Sequence, residues 1–316
     1  WLVLQEKLSI GSLMAVLGIS GSIFPAITSL AFSNITLQGA KVAFDRMYEF
    51  TSIKPEFISN GVEKKKSSFK FEKIEIQNLS FRFPGRKPIL SDVNFSLSKG
   101  ESIAILGESG GGKSTLLNIL QGFYPPENGS LFINGQNYNC IELPLLRESL
   151  GVVPQEIAIF NGTLLDNLIL GANEKDINPI LAFCKQFGFD DYFSHFPQGY
   201  ATILGEEGIN LSGGQKQLIG LCRAMLKKPS LLLLDEPTSA MDRETENFAL
   251  KLLHDFSSNC GIILVTHQLK IANMTDCIKI IQDGKIRASG NKKELLQFDN
   301  LYSRMYEELK LDFATA

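Results

Sequence analysis

The stretch GESGGGKST, at residues 107–115, decides which fold this sequence adopts. It follows the apolar run Ser102–Leu106 and precedes the apolar run Leu116–Leu120, which predicts a buried strand, a glycine-rich loop and a helix. The pattern GxxxxGK[ST] in this order is typical of a phosphate-binding loop. Its glycines let backbone N–H groups surround phosphate oxygens at a helix N-terminus, where the helix dipole favours an anion. In such a loop Lys113 reaches the terminal phosphates, and the Ser114 hydroxyl can bind Mg²⁺.

A second apolar run, Leu231–Leu234, leads into two consecutive carboxylates. A strand here would deliver Asp235 to the phosphate site, where it can hold Mg²⁺ directly or through water. Glu236 would then be placed to polarise an attacking water as a general base. The alternative is a structural strand that ends in two surface acids, and the phosphate loop upstream argues against it.

The pentapeptide LSGGQ, at residues 211–215, lies between these two motifs and opens a predicted helix over Lys216–Leu226. On these three motifs the sequence resembles the nucleotide-binding domain of ABC transporters, from Phe69 to about Leu311. A serine hydroxyl and glycine amides at a helix N-terminus form an anion site. The resemblance implies that this site faces the γ-phosphate of an ATP held by a second copy of the chain. The expected working unit is a homodimer, because both halves of the composite site are intact in one chain.

The resemblance implies roles for four further positions. Gln155 matches the glutamine that contacts Mg²⁺ and water and senses the membrane domain, and His267 matches the switch histidine that contacts the γ-phosphate. Phe83 matches the aromatic residue that stacks on adenine, usually a tyrosine. Asp242 ends the loop Ser239–Asp242, through which the two domains of the family communicate.

The expected site comprises three overlapping sets. The catalytic set is Glu236, His267, Lys113 and Gln155, and the magnesium ligands are Ser114, Gln155 and Asp235. The residues expected to contact ATP are Phe83, Gly107, Glu108, Ser109, Gly110, Gly111, Gly112, Lys113, Ser114, Thr115, Ser212, Gly213, Gly214, Gln215 and Asp242.

The N-terminal region has the composition of a membrane span. No charged residue occurs from Leu8 to Ala40, and about 20 apolar residues suffice to cross a bilayer. A buried helix of a soluble core is the alternative, although such helices are usually shorter and polar on one face. Lys41, Arg46 and Lys54 follow the run while only Lys7 precedes it, so the C-terminal side is expected in the cytoplasm and the span in the cytoplasmic membrane.

This region also resembles the last membrane helix of ABC exporters, which continues into the cytoplasm before the ATPase begins. Because the chain starts with Trp1, it is expected to be a fragment. Residues 1–4 would be the end of the preceding membrane helix, and residues 5–7 would form an external turn. The motifs Phe160–Thr163 and Glu206–Asn210 match the exporter subgroup. Leu37–Phe50 is similar to exporters of peptides and bacteriocins that carry an N-terminal peptidase domain, which implies a peptide cargo.

The composition of the chain argues against some classes of function. With 44% hydrophobic and 21% charged residues and a net charge of −3, the chain is a folded protein without a basic excess, and nucleic-acid binding is not expected. Five scattered cysteines without a CxxC pair indicate reduced structural thiols.

The predicted fold is a mixed α/β ABC-type phosphate-loop NTPase with a helical subdomain over about residues 162–224, preceded by one transmembrane helix. Its expected parts are membrane helix and extension (1–50), linker (51–68) and ATP-binding domain (69–316).

Three functions remain open at this point. The expected one is an ATPase that drives export of a substrate, either a peptide or a lipid or small hydrophobic compound. A soluble ABC ATPase of DNA repair or translation would lack a fused apolar span. A degenerate domain that only clamps nucleotide would lack the general base or the signature pentapeptide, and both are present.

Overall fold

The computed structural model of the protein describes residue 5, residues 7–53, residue 56, and residues 69–170, 177–205 and 211–315, with the side chains of 309 and 311–315 excepted. Most of the predicted linker, the predicted end of a preceding helix at residues 1–4 and the exporter motif at 206–210 lie outside these ranges. The chain forms two compact units, residues 1–63 and 64–316.

The first unit is dominated by helix α1, Ile10–Ser52, which continues without a break through the predicted cytoplasmic extension. Its 43 residues span about 65 Å at 1.5 Å per residue. The Ser9 hydroxyl caps its N-terminus by accepting the Ser12 N–H at 3.1 Å. None of its residues is buried and its most apolar window has a mean hydropathy of 1.8, so α1 is long and apolar enough to cross a membrane.

Polar side chains along α1 bond to the helix itself. The hydroxyls of Ser20 and Thr28 donate to carbonyls one turn earlier, at 2.8 Å to Val16 and 3.0 Å to Phe24. Such bonds satisfy the hydroxyl within the helix, which suits a segment that has few polar partners around it.

The second unit alternates strands with helices. Its strands are β1 (Lys73–Phe81), β2 (Leu90–Ser98), β3 (Ser102–Gly107), β4 (Asn128–Ile133), β5 (Gln136–Asn137), β6 (Leu150–Val153), β7 (Gly162–Thr163), β8 (Ile203–Leu204), β9 (Leu231–Asp235), β10 (Gly261–Thr266), β11 (Cys277–Gln282) and β12 (Lys285–Gly290). Its helices are α2 (Lys113–Leu120), α3 (Leu143–Ser149), α4 (Leu164–Ile169), α5 (Ile177–Gln186), α6 (Phe189–Phe193), α7 (Gly213–Leu226), α8 (Arg243–Ser257), α9 (Leu269–Ala272), α10 (Lys292–Leu295) and α11 (Leu301–Thr315), with 3₁₀ turns at Tyr138–Cys140 and Gly199–Ala201.

A six-stranded sheet, in the order β12-β11-β3-β10-β9-β6, forms the centre of this unit. All neighbours pair in parallel except β12, which runs antiparallel at the edge. Every residue of β3, β9 and β10 is buried, which explains their unbroken apolar sequences, since both faces of a parallel sheet are covered. The carboxyl ends of β3, β9 and β10 therefore meet at one edge.

Two apolar cores lie on opposite faces of the central sheet. Ala104 and Leu106 of β3 join one core, with the helical elements, while Ile103 and Ile105 join the other. This alternation is the two-residue period of a strand. The second core is completed by α2 and by an antiparallel sheet in the order β2-β1-β4-β5. The predicted mixed α/β fold is confirmed.

The helical region predicted over residues 162–224 contains α4 to α7 and a small antiparallel pair, β7 with β8, that the sequence pattern did not indicate. Its interior is rich in phenylalanine. Phe189 stacks on Phe193 with ring centroids 5.9 Å apart and meets Phe248 of α8 edge to face at 5.7 Å. Helix α7 runs through this interior, so the LSGGQ segment at its start is held by the core.

Candidate functional site

The phosphate-binding loop connects β3 with α2. Gly112 precedes the helix with φ of +90°, a left-handed conformation that side chains with a Cβ rarely adopt. At Gly107 a Cβ would lie 2.4 Å from the carbonyl oxygen of Ile281, so the end of β3 can approach β11 only because the residue is glycine. Helix α2 begins at Lys113, three residues before the apolar run that predicted it.

The Lys113 ammonium lies inside the curve of this loop. It donates hydrogen bonds to the carbonyl oxygens of Gly107, at 2.9 Å, and Glu108, at 2.7 Å. The residue is only 8% exposed, and burial lowers the pKa of Lys113 below its ordinary value while Glu236 and Asp235 raise it in part. A cation held beside two carboxylates in a glycine-lined loop suits a phosphate group.

Asp235 ends β9 beside the loop. Burial raises the pKa of this carboxyl above its usual value, and a hydrogen bond from the Ser114 hydroxyl acts in the opposite direction. The hydroxyl and the carboxylate, with the Gln155 amide at the same cavity, are the oxygen donors that Mg²⁺ prefers. These residues therefore fit a magnesium ion bound together with a nucleotide phosphate.

Glu236 follows Asp235 in an unusual backbone conformation, with φ of +49°. Its N–H donates to the Val265 carbonyl of β10 at 3.0 Å, which extends the pairing of the two strands by one residue. Its carboxylate lies 3.0 Å from Nδ1 of His267, which follows β10. The order of β9 and β10 in the sheet thus brings together two residues that are 31 positions apart.

These side chains line one cavity of about 270 Å³. Most of the predicted catalytic, magnesium and phosphate-loop residues converge there, joined by Ile89, which the sequence pattern did not indicate. The lining residues are Ile89, Gly107, Ser109, Gly110, Gly112, Lys113, Ser114, Thr115, Gln155, Asp235, Glu236 and His267.

Other predicted contacts lie away from this cavity. Phe83 packs edge to face against Phe81 and Tyr124, with centroids 5.1 and 5.3 Å apart, in an aromatic group that borders the second core. Asp242 caps the N-terminus of α8 by accepting the N–H groups of Glu244 and Thr245. Glu108 and Gly111 belong to the loop but not to the lining of the cavity.

The signature segment also lies apart from the cavity of its own chain. Ser212 caps α7: its hydroxyl accepts the Gln215 N–H at 3.2 Å, and the Gln215 side chain accepts the Ser212 N–H at 2.9 Å. A Cβ at Gly213 would lie 2.6 Å from the Cβ of Ala240, and one at Gly214 would lie 3.0 Å from its carbonyl oxygen. The two glycines thus let the 239–242 loop pack on the first turn of α7.

Gln217 was missed by the sequence analysis. It lies in the interior of α7, 5% exposed, and bonds to Glu236, Ser239 and Ala240. The signal was available, because spacings of four and eight residues place this polar side chain on the same face as the buried Leu221 and Met225. A polar residue on an apolar stripe needs a polar partner.

Comparisons with known proteins agree with this geometry. A family model described as ABC transporter matches residues 90–239. The chain is 35% identical over 300 residues to the uncharacterized ABC transporter ATP-binding protein YfiB of Bacillus subtilis, covering 94% of this chain and 51% of that protein. It is 33% identical to the alpha-hemolysin translocation ATP-binding protein HlyB of Escherichia coli, covering 97% and 43%.

A further relative is the ATP-dependent lipid A-core flippase of Haemophilus influenzae, 32% identical over 96% of this chain and 52% of that protein. Among solved structures, a bacterial Atm1-family ABC exporter with ATP bound superimposes with a TM-score of 0.78 at 29% identity, covering 96% of this chain and 53% of that one. The chain spans about half the length of the relatives it matches. The chain contains an ABC transporter nucleotide-binding domain of the ATPase type, which is homologous to those of exporter ABC proteins.

Proposed function

We propose that this chain is the ATP-hydrolysing part of an ABC exporter that moves a substrate out across the cytoplasmic membrane. The observation that carries the proposal is the convergence of Lys113, Asp235, Glu236 and His267 on one cavity at the carboxyl edge of the sheet. Helix α1, which could cross a membrane, supports the link to transport. The exporter relatives support the direction of transport.

In this proposal the loop backbone and Lys113 bind the β- and γ-phosphates of ATP. Ser114, Asp235 and Gln155 would hold Mg²⁺, which would supply positive charge to stabilise the phosphate groups. The partial burial of Lys113 and Asp235 strengthens their electrostatic interaction with the nucleotide, because the effective dielectric constant is lower there than in water.

Glu236 is the proposed general base. Its carboxylate would orient the attacking water in line with the bond between the γ-phosphorus and the β–γ bridging oxygen, and would accept a proton from it. The water oxygen would bond to the phosphorus as that bond breaks, which releases ADP and phosphate. His267, whose Nδ1 lies 3.0 Å from that carboxylate, holds it in place and also lines the cavity. The carboxylate is thereby restricted to one orientation before the reaction begins.

The signature segment acts on the nucleotide of a second copy. Ser212 and the backbone amides at the N-terminus of α7 lie outside the lining of the chain's own cavity, and an anion site there supports a sandwich of two ATP molecules between two domains. Closure of the two domains on ATP would move the membrane helices, and hydrolysis would reopen them.

The proposed cargo is a peptide. This part rests on the similarity of Leu37–Phe50 to peptide exporters. The relatives named for a hemolysin and for lipid A-core carry ATPases similar to this one, since the ATPase supplies force and the membrane cavity selects the cargo. A lipid or small hydrophobic cargo is the second candidate, favoured by the lipid A-core flippase relative.

The experiment is a phosphate-release assay on the full-length protein, purified in detergent from membranes. Turnover of ATP by protein that partitions with the membrane fraction is expected. Nucleotide binding without turnover would instead indicate a degenerate domain. Turnover by protein recovered from the soluble fraction would indicate a soluble ABC ATPase, and either result would overturn the proposal.

A further inference from the structure

A buried amide connects the signature helix with the proposed general base. The Gln217 Nε2 group donates to the backbone carbonyl of Glu236 at 3.1 Å and to the Ser239 hydroxyl at 2.9 Å. Its Oε1 accepts the Ala240 N–H at 3.0 Å. Both ends of the amide are therefore used, and all three bonds cross from α7 to the turn after β9.

We infer that Gln217 is a positioning residue for ATP hydrolysis, through which α7 fixes the backbone that carries Glu236. The inference rests on the proposed function, because it assigns Gln217 a part in the reaction that Glu236 is proposed to catalyse. Gln217 itself does not line the cavity, so it acts through Glu236 and not on ATP.

The backbone of Glu236 requires such support. With φ of +49° it occupies the left-handed region, which costs an ordinary residue about 1–2 kcal/mol and persists only when its surroundings impose it. On one side its N–H is held by the Val265 carbonyl at 3.0 Å. On the other side its carbonyl receives the Gln217 amide and the Ser239 hydroxyl, each at 3.1 Å. Bonds on both sides of the Cα fix the direction in which the carboxylate leaves the backbone.

Ser239 completes a small closed network. Its hydroxyl accepts from Gln217 and donates to the Glu236 carbonyl, so the three groups restrain one another. The close approach of Ala240 to Gly213 and Gly214 keeps this turn against the start of α7. One helix thus serves two sites, presenting Ser212 to the nucleotide of the partner and holding Glu236 of its own chain through Gln217.

The test compares Gln217→Met with the parent in the full-length protein. Methionine keeps the length and the flexibility of the side chain and removes both polar ends. Loss of the Gln217 bond to Glu236, together with its bonds to Ser239 and Ala240, should lower kcat by about tenfold or more, with KM for ATP within about twofold. Binding of a non-hydrolysable ATP analogue should keep its parental affinity and stoichiometry, which shows that the variant is folded.

Ser149→Ala is the matched control, because it also removes a buried hydrogen bond, from the Ser149 hydroxyl to the Leu146 carbonyl at 2.6 Å, and makes no contact with this network. Its kcat should equal the parental value. The double variant Gln217→Met/Ser239→Ala should be no slower than Gln217→Met alone, since both changes act on one network.

The outcomes of these experiments distinguish a failure of the proposed function from a failure of the role inferred for Gln217. A parent that hydrolyses no ATP contradicts the proposed function. If the parent is active and Glu236→Gln is not, parental kcat in Gln217→Met overturns the inference alone. So would strictly multiplicative effects in the double variant, or a fall in analogue stoichiometry that accounts for the whole loss of kcat.

Discussion

At the scale of single residues, the groups proposed to bind the nucleotide differ from the group proposed to activate water. Lys113 lies within the glycine-rich loop, bonded to its carbonyl groups, whereas the carboxylate of Glu236 lies against His267. Two variants should therefore fail in different ways.

Glu236→Gln should keep ATP binding and lose on the order of 10²–10⁴-fold in kcat, the range for a positioned general base. Lys113→Ala should weaken ATP binding itself, because it removes the buried cation of the loop. Equilibrium binding of labelled ATP and phosphate release, measured on the same samples, distinguish the two. Parental turnover in Glu236→Gln would show that another group acts as the base.

The raised pKa of Asp235 predicts that its ionised carboxylate lowers the stability of the folded protein. Since its folded pKa lies above its unfolded value, the ionised carboxylate is destabilising above the folded pKa, and this cost disappears as the pH falls below the unfolded value. Asp235→Asn should then melt at a higher temperature than the parent at pH 7.5 without nucleotide. The gain should shrink toward about pH 4, near the ordinary pKa of aspartate.

Asp242 serves as the control, because the shift in its pKa has the opposite direction. Hydrogen bonds from Thr245 lower the pKa of Asp242, so its ionised form is stabilising above the unfolded pKa, and Asp242→Asn should melt no higher than the parent at pH 7.5. Thermal melting of the full chain in detergent measures both variants. Equal shifts in the two, or a gain in Asp235→Asn that does not depend on pH, would contradict the account.

At the scale of elements, α7 packs so closely against the rest of the domain that position 220 has no room for a side chain. A Cβ at Gly220 would lie 2.6 Å from Cδ1 of Ile157, in the segment that follows Gln155. Gly220→Ala alone should lower stability by about 1–3 kcal/mol, the usual cost of overpacking.

Gly220→Ala with Ile157→Val should recover most of that loss, because valine lacks Cδ1 and alanine favours a helix by about 1 kcal/mol over glycine. Denaturant unfolding of the parent and the two variants measures the effect. A double variant as unstable as Gly220→Ala would mean that Ile157 is not the group that resists the new methyl.

The sequence predicted the central elements well for a physical reason. Strands β3 and β9 are continuous apolar runs because both faces of a parallel sheet are buried, and their predicted bounds differ from the observed ones by at most one residue at either end. Helices α2 and α7 begin three residues earlier than predicted, at Lys113 and Gly213, because polar and glycine residues in a first turn carry no apolar period.

Other features depend on contacts that no local pattern carries. The antiparallel sheet pairs Ile74 with both Leu97 and Ile133, and such partners cannot be read from one strand at a time. The contact of Glu236 with His267 follows from the order of strands in the sheet. The position of Phe83, away from the cavity lining, likewise depends on how Phe81 and Tyr124 pack around it.

At the scale of the whole molecule, the peptide reading of the cargo makes a prediction for the reconstituted exporter. A cargo that binds the state before closure favours closure and should raise ATP turnover. Leader peptides encoded near the gene should therefore stimulate the ATPase of the full-length protein in proteoliposomes more than lipid A or phospholipid does. Stimulation by lipid alone would overturn the peptide reading and leave the exporter proposal in place.

The central claim is a composite site, in which the loop of one copy and the signature of another hold the same ATP. It is tested most directly by mixing Ser212→Arg chains with Lys113→Ala chains and measuring ATP turnover of the isolated mixed dimers. Each homodimer should be inactive, while a mixed dimer contains one complete site, formed by the intact loop of the first chain and the intact signature of the second. The account predicts that turnover returns in the mixed dimers, up to about half the parental rate if two sites act independently. Mixed dimers as inactive as either variant alone would contradict it.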